Sequence, residues 1–91
     1  MIHYSEDRPW TLTFYAEDLA DEPSEKAVPE LTKLLQHKDP VVREGALYGA
    51  SVHIENNGEL MLQVKGMAKN DENKTVRQVA IDSLKNIGVR V

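Results

Sequence analysis

The sequence predicts an all-α fold: a short right-handed α–α solenoid of two helical hairpins behind an N-terminal capping helix. Three observations predict it. Apolar residues recur at the 3, 4, 7 spacing of one helical face through most of the chain. Cap residues, prolines and glycines punctuate those stretches at helix-like intervals. The pattern also repeats itself: Val42, Arg43, Ala46 and Leu47 return 34 positions on as Val76, Arg77, Ala80 and Ile81, and Leu31, Leu34 and Leu35 return 33 positions on as Val64, Met67 and Ala68. The one-residue difference fits an extra residue in the second inter-helix turn. Two apolar segments around a polar turn, recurring at this period, describe a helix–turn–helix solenoid unit. The organisation that follows is a capping segment over 1–23, with a helix over 9–20, and two repeats over 24–57 and 58–91.

The N-terminal segment fits two patterns. Leu12, Tyr15, Ala16 and Leu19 lie on one helical stripe, with Ser5 or Asp7 as cap, whereas Leu12, Phe14 and Ala16 alternate with Thr11, Thr13 and Tyr15 as they would in a strand. The acidic tail and the neighbouring helices favour the helix. Each hairpin of a solenoid leaves an apolar face open, so a helix here would cover the first one. On that reading Trp10 and Phe14 are capping core; left exposed, they would be the strongest hot-spot candidates in the chain.

The next helix is expected from Ser24 as N-cap, with Ala27, Val28, Leu31, Leu34 and Leu35 inward and a bend at Pro29, whose ring crowds the preceding turn. Asp39-Pro40 is a cap followed by proline at the first helical position, a strong start signal. Its helix places Val42, Ala46, Leu47, Ala50 and Ile54 inward, and Asn56-Asn57-Gly58 is expected to stop it. A third helix runs from about Glu59 with Leu60, Val64, Met67 and Ala68 inward. Asn73 caps the fourth, with Val76, Ala80, Ile81, Leu84 and Ile87 inward and Gly88 as terminator. Gly45 and Gly49, beside Ala46 and Ala50, form a small-residue stripe. Glycine costs about 1 kcal/mol inside a helix, so close helix approach is the expected reason for it.

The segment Ala27-Val28-Pro29-Glu30-Leu31-x-x-Leu34-Leu35-x-x-x-Asp39-Pro40-x-Val42-Arg43-x-x-Ala46-Leu47 resembles the HEAT-repeat pattern, in the form related to bilin-lyase repeats. The second copy, ending Ser83-Leu84-Lys85-Asn86-Ile87-Gly88, is similar, and the likeness spans roughly residues 24–88. Its most specific element is the turn aspartate, then valine-arginine at the start of the next helix and alanine three residues on. The resemblance implies a structural ladder between repeats, with Asp39, Arg43 and Arg77 at matching positions and Asn73 where a second aspartate is expected.

Composition narrows the function. The net charge is −4, with seven acids against one arginine up to Glu25 and six bases against four acids from Glu59 onward. An acidic balance disfavours binding to a phosphate backbone, which needs a basic stripe. The absence of cysteine excludes disulfides, thiolate metal sites and a cysteine nucleophile. No apolar run approaches the roughly 20 residues of a membrane span, and the N-terminus lacks the pattern of a secretion signal, so the cytoplasm is the expected location.

Catalytic chemistry finds little support. His3, His37 and His53 are scattered, with no pair at i, i+4 spacing for a metal. His37 belongs to a polar turn, and His53 ends a helix, where a cation would complement the dipole. Glu17-Asp18 and Asp21-Glu22 read as a solvated surface. No metal, cofactor or enzymatic activity is expected. What remains is a surface: the resemblance implies that the second helix of each hairpin lines a concave side, with Glu44, Tyr48 and Ser51 outward on one and Gln78, Asp82 and Lys85 on the other. Together with Trp10 these are the candidate partner-binding residues. The expected function is a non-catalytic protein-interaction module: an adaptor, inhibitor or assembly subunit. An accessory role related to bilin lyases is the alternative, nucleic-acid binding is weaker still, and self-association through exposed repeat ends is a secondary expectation.

Overall fold

The computed structural model describes residues 9–89. Five α-helices follow one another: α1 Pro9–Asp18, α2 Ser24–Leu34, α3 Pro40–Ala50, α4 Gly58–Asn70 and α5 Lys74–Asn86. Short 3-10 turns, Leu19–Asp21 and Ile54–Asn56, follow α1 and α3. No strand occurs among the described residues, so residues 10–16 are helical. The caps proposed for this helix, Ser5 and Asp7, lie outside the described residues, as does His3.

Helix α3 is the centre of the molecule. It packs against α1, α2 and α5, while α4 pairs with α5. The core runs continuously through all five helices, with Leu31, Val42, Leu47, Ile54, Leu60, Val64, Val76 and Leu84 fully buried. The molecule is an elongated slab of 41 × 28 × 17 Å. This is the all-α arrangement of two helical hairpins with a further helix laid on the first, as the sequence predicts.

Local signals set most helix ends. Asp39 accepts the Val41 N–H at 2.9 Å and Asn73 accepts the Val76 N–H at 3.0 Å, each satisfying a first-turn donor. Gly88 ends α5 with φ +81°; the Val89 N–H reaches the Leu84 carbonyl at 2.9 Å and the Gly88 N–H reaches that of Lys85 at 3.0 Å. Three expectations change. Ser24 is not the cap of α2: Pro23 stands there, and the Ser24 hydroxyl pairs with His53 Nδ1 at 2.7 Å. Helix α3 stops at Ala50, and Ile54 reaches the core from the following 3-10 turn instead. Asn57-Gly58 opens a helix rather than closing one, because the Asn57 side chain accepts the Leu60 N–H at 2.9 Å. Pro29 sits within α2. The carbonyl it leaves without a helical donor belongs to Glu25, which is exposed to water.

His53 is structural. Its ring is buried, with Nε2 2.9 Å from the Leu19 carbonyl and Nδ1 on Ser24. A carbonyl only accepts, so Nε2 carries a proton and, in the neutral ring, Nδ1 receives the serine hydroxyl. The imidazole thereby ties the turn after α1 and the start of α2 to the end of α3.

The two hairpins are joined by a buried ion pair. Arg43 donates to Asp71 through Nε and Nη2, both at 3.0 Å, and Nη1 donates to the His37 and Lys38 carbonyls at 2.9 and 3.1 Å. Both side chains are less than a tenth exposed. Asp71 Oδ1 also accepts the Asn73 N–H at 2.9 Å, as His37 Nδ1 accepts the Asp39 N–H at 3.0 Å one repeat earlier. Arg77 repeats the backbone half of the pattern, donating to the Asp71 carbonyl at 2.6 Å. The carboxylate that meets Arg43 therefore stands two residues before the position where the sequence places it. Asp39 and Asn73 serve as helix caps, not as the arginine's partners.

The glycine stripe on α3 is where α1 crosses. A Cβ built on Gly49 would lie 1.9 Å from the Ala16 carbonyl oxygen, and one on Gly45 would lie 2.7 Å from Thr13 Cγ2 and 3.0 Å from the Thr13 backbone. The two backbones touch because two side chains are missing, and the Thr13 hydroxyl bonds the Val41 carbonyl at 3.0 Å across the same seam.

Candidate functional site

This close crossing sets how α1 is rotated. Leu12, Ala16 and Leu19 turn into the core, which carries Trp10 and Phe14 outward. Trp10 is 67% exposed and Phe14 59%, so neither is the capping core that the sequence suggests. The stripe of α1 that faces core is the one with Leu12 and Ala16, and Trp10 lies on its flank.

Beside the crossing lies a cleft of about 210 Å³ between α1 and α3. Trp10, Thr13 and Glu17 line it from α1, and Val41, Glu44, Gly45 and Tyr48 from α3. The α1 residues are three and seven apart, so they share a helical face. Gly45, lacking a side chain, lets Thr13 close against it at the floor of the crossing. Tyr48 is 48% exposed and its hydroxyl donates to Glu44 Oε1 at 3.4 Å. Glu17 belongs to this group although its sequence neighbourhood reads as a solvated acidic surface; its spacing from Trp10 is the signal that points to it.

The other candidates are placed around the cleft or apart from it. Ser51 is turned back onto its own helix end, its hydroxyl donating to the Tyr48 carbonyl at 2.7 Å. Gln78 and Asp82 are exposed on α5 and bonded to each other at 3.0 Å. Lys85 is exposed one turn further on. Helix α3 packs against α5, and the charge of Asp82 makes the smallest contribution to raising the Tyr48 ionisation. The structure thus brings together Trp10, Glu44 and Tyr48, with Asp82 at the margin. Val52 and Leu62 are also exposed, on other elements. Among the described residues no group of three metal-ligating side chains occurs, and no helix is long and apolar enough to cross a membrane.

The field in the cleft is negative. Partial burial pushes the Tyr48 phenol above its ordinary value, helped by the charge of Glu44, its hydrogen bond, and the charges of Glu17 and Asp82. A folded-state value above the unfolded one means that stability linked to Tyr48 is lost as pH rises past the normal tyrosine range. In ¹³C-tyrosine NMR, which resolves each ring, Tyr48 should ionise at higher pH than free tyrosine, and Glu44→Gln should lower its midpoint. A midpoint equal to that of free tyrosine would contradict this electrostatic description.

Comparison with known proteins gives one result. A family model described as HEAT repeats matches residues 5–85. No curated protein and no solved structure matches the chain.

Proposed function

The chain belongs to the HEAT-repeat family, whose members commonly mediate protein–protein interaction, and from that premise we propose that it is a non-catalytic module that docks a partner protein. It would act in the cytoplasm as a small adaptor, inhibitor or assembly subunit. The observation that carries the reading is the exposed pair Trp10 and Tyr48 on the two sides of one cleft. Large aromatic groups left in water beside a concavity are what protein interfaces use as anchors. The docking face proposed is therefore that of α1 and α3, with Glu44 inside it and Gln78, Asp82 and Lys85 of α5 at its rim. A bilin-handling role is less well supported, since the two clefts, about 210 Å³ here and about 310 Å³ beside Lys33 and His37, reach no further than the low end of the roughly 300–1,000 Å³ of ordinary small-molecule sites.

The test is capture of a partner by the tagged protein from its native host, followed by binding measurements on that purified partner. Trp10→Ala with Tyr48→Ala should weaken binding about 30-fold or more, the effect of losing one anchor of at least about 2 kcal/mol. Circular dichroism should be unchanged, because both side chains are largely outside the core. Full affinity in the double variant would defeat the reading.

A further inference from the structure

We propose that the α1–α3 cleft takes one cationic side chain, an arginine, presented by the partner protein between Trp10 and Tyr48 and against the carboxylates of Glu17 and Glu44. The proposal rests on the docking reading above and adds to it the chemistry of the occupant. Four observations carry it.

The first is composition: two aromatic residues and two acids stand among the side chains lining the cleft, and among the described residues no base lines it. An aromatic face attracts a cation through its quadrupole, and a flat guanidinium stacks on tryptophan or tyrosine better than an ammonium does. The second is the surroundings. Helix α1 contains no lysine or arginine, and the one base of α3, Arg43, is buried against Asp71 between the hairpins. Neither helix supplies a cation to fill the cleft from within. Third, the carboxylates come from two helices, Glu17 from one side and Glu44 from the other, so a fork of N–H donors could engage both. The last is size. About 210 Å³ suits the end of one long side chain. The raised ionisation of Tyr48 agrees with this placement, since a field that opposes a phenolate favours a cation. An acidic occupant would be repelled, and an apolar one would strip water from two carboxylates without returning a hydrogen bond.

The direct test uses a defined probe. ¹⁵N-labelled protein is titrated with the blocked peptide Gly-Gly-Arg-Gly-Gly and, separately, with the same peptide carrying citrulline, which has nearly the same shape and no charge. The arginine peptide should give saturable shifts at the Trp10 indole N–H and at the Thr13 and Gly45 amides. Citrulline should bind about ten-fold more weakly or not at all, and Glu17→Gln with Glu44→Gln should weaken the arginine peptide by a similar factor. Equal binding of the citrulline peptide would overturn the proposal. So would shifts that never saturate and spread over Asp21, Glu22 and Glu25, the mark of diffuse attraction to an acidic surface. The two readings fail separately: if the captured partner is lost on Trp10→Ala/Tyr48→Ala yet keeps full affinity for Glu17→Gln/Glu44→Gln, docking stands and the arginine is refuted.

Discussion

Asp71→Ala is expected to destabilise the protein by about 3–5 kcal/mol, the usual effect of leaving one partner of a buried ion pair without the other. A chain of this size has roughly 5–14 kcal/mol in total, so the variant should lose a large share of its stability. The pair is a fork, with two N–H donors of Arg43 on two oxygens of Asp71, and both side chains are nearly inaccessible to water. Removal of the carboxylate strands a guanidinium between the hairpins. It also removes the acceptor of the Asn73 N–H, so the entry to α5 loosens at the same time. Replacing both members, Arg43→Met with Asp71→Leu, should recover only part of the loss, because Nη1 of Arg43 also serves the His37 and Lys38 carbonyls. Urea denaturation of the two variants beside the native chain measures this. A loss below about 1 kcal/mol for Asp71→Ala would mean that the hairpins are not held together through this pair.

Gly49→Ala should also be strongly destabilising, by about 3 kcal/mol, although alanine is the better helix former by about 1 kcal/mol. The added methyl would fall 1.9 Å from the Ala16 carbonyl oxygen and 3.1 Å from Leu31 Cδ2. The nearer obstacle is backbone, which no rotamer change can move, so α1 must shift off α3. Gly66→Ala supplies the control: its methyl meets nothing within 4 Å in α4, so it should stabilise by roughly 0.5–1 kcal/mol. Opposite signs at two helical glycines, read from thermal melts, would establish the crossing of α1 as a backbone-to-backbone contact. Stabilisation by both would show that α1 does not lie this close. Because α1 carries Trp10 and Glu17, Gly49→Ala should also impair binding at the cleft.

What sequence alone reveals here divides along the range of the interactions. Asp39-Pro40, Asn73 and Gly88 act on their own helix ends, so their roles are readable without the fold. The repeat and the Gly45–Gly49 stripe are readable because spacing carries the information. Asn57-Gly58 misleads because asparagine and glycine suit both the end of one helix and the start of the next. Ser24 misleads because its hydroxyl is claimed by His53, 29 residues away. Asp71 is obscured because it stands two residues before its cap, where the first repeat carries His37, so the repeat itself does not mark it as an acidic position. Trp10 is the most instructive case. Its exposure depends on how α1 is rotated, and that rotation follows from a contact between Ala16 and Gly49 that no local pattern encodes. Glu17 joins the cleft for the same reason.

Hydrogen–deuterium exchange with the purified partner would locate the protein-docking face proposed on α1 and α3. Helical amides in a small domain exchange through local opening, and docking slows that opening beneath the contact. Partner-dependent protection is expected to centre on residues 10–17 and 44–48, to be weaker toward Gln78 and Asp82 and to be absent from the exposed side of α4. Protection confined to α4, or to the two 3-10 turns, with residues 10–17 and 44–48 unchanged, would contradict it.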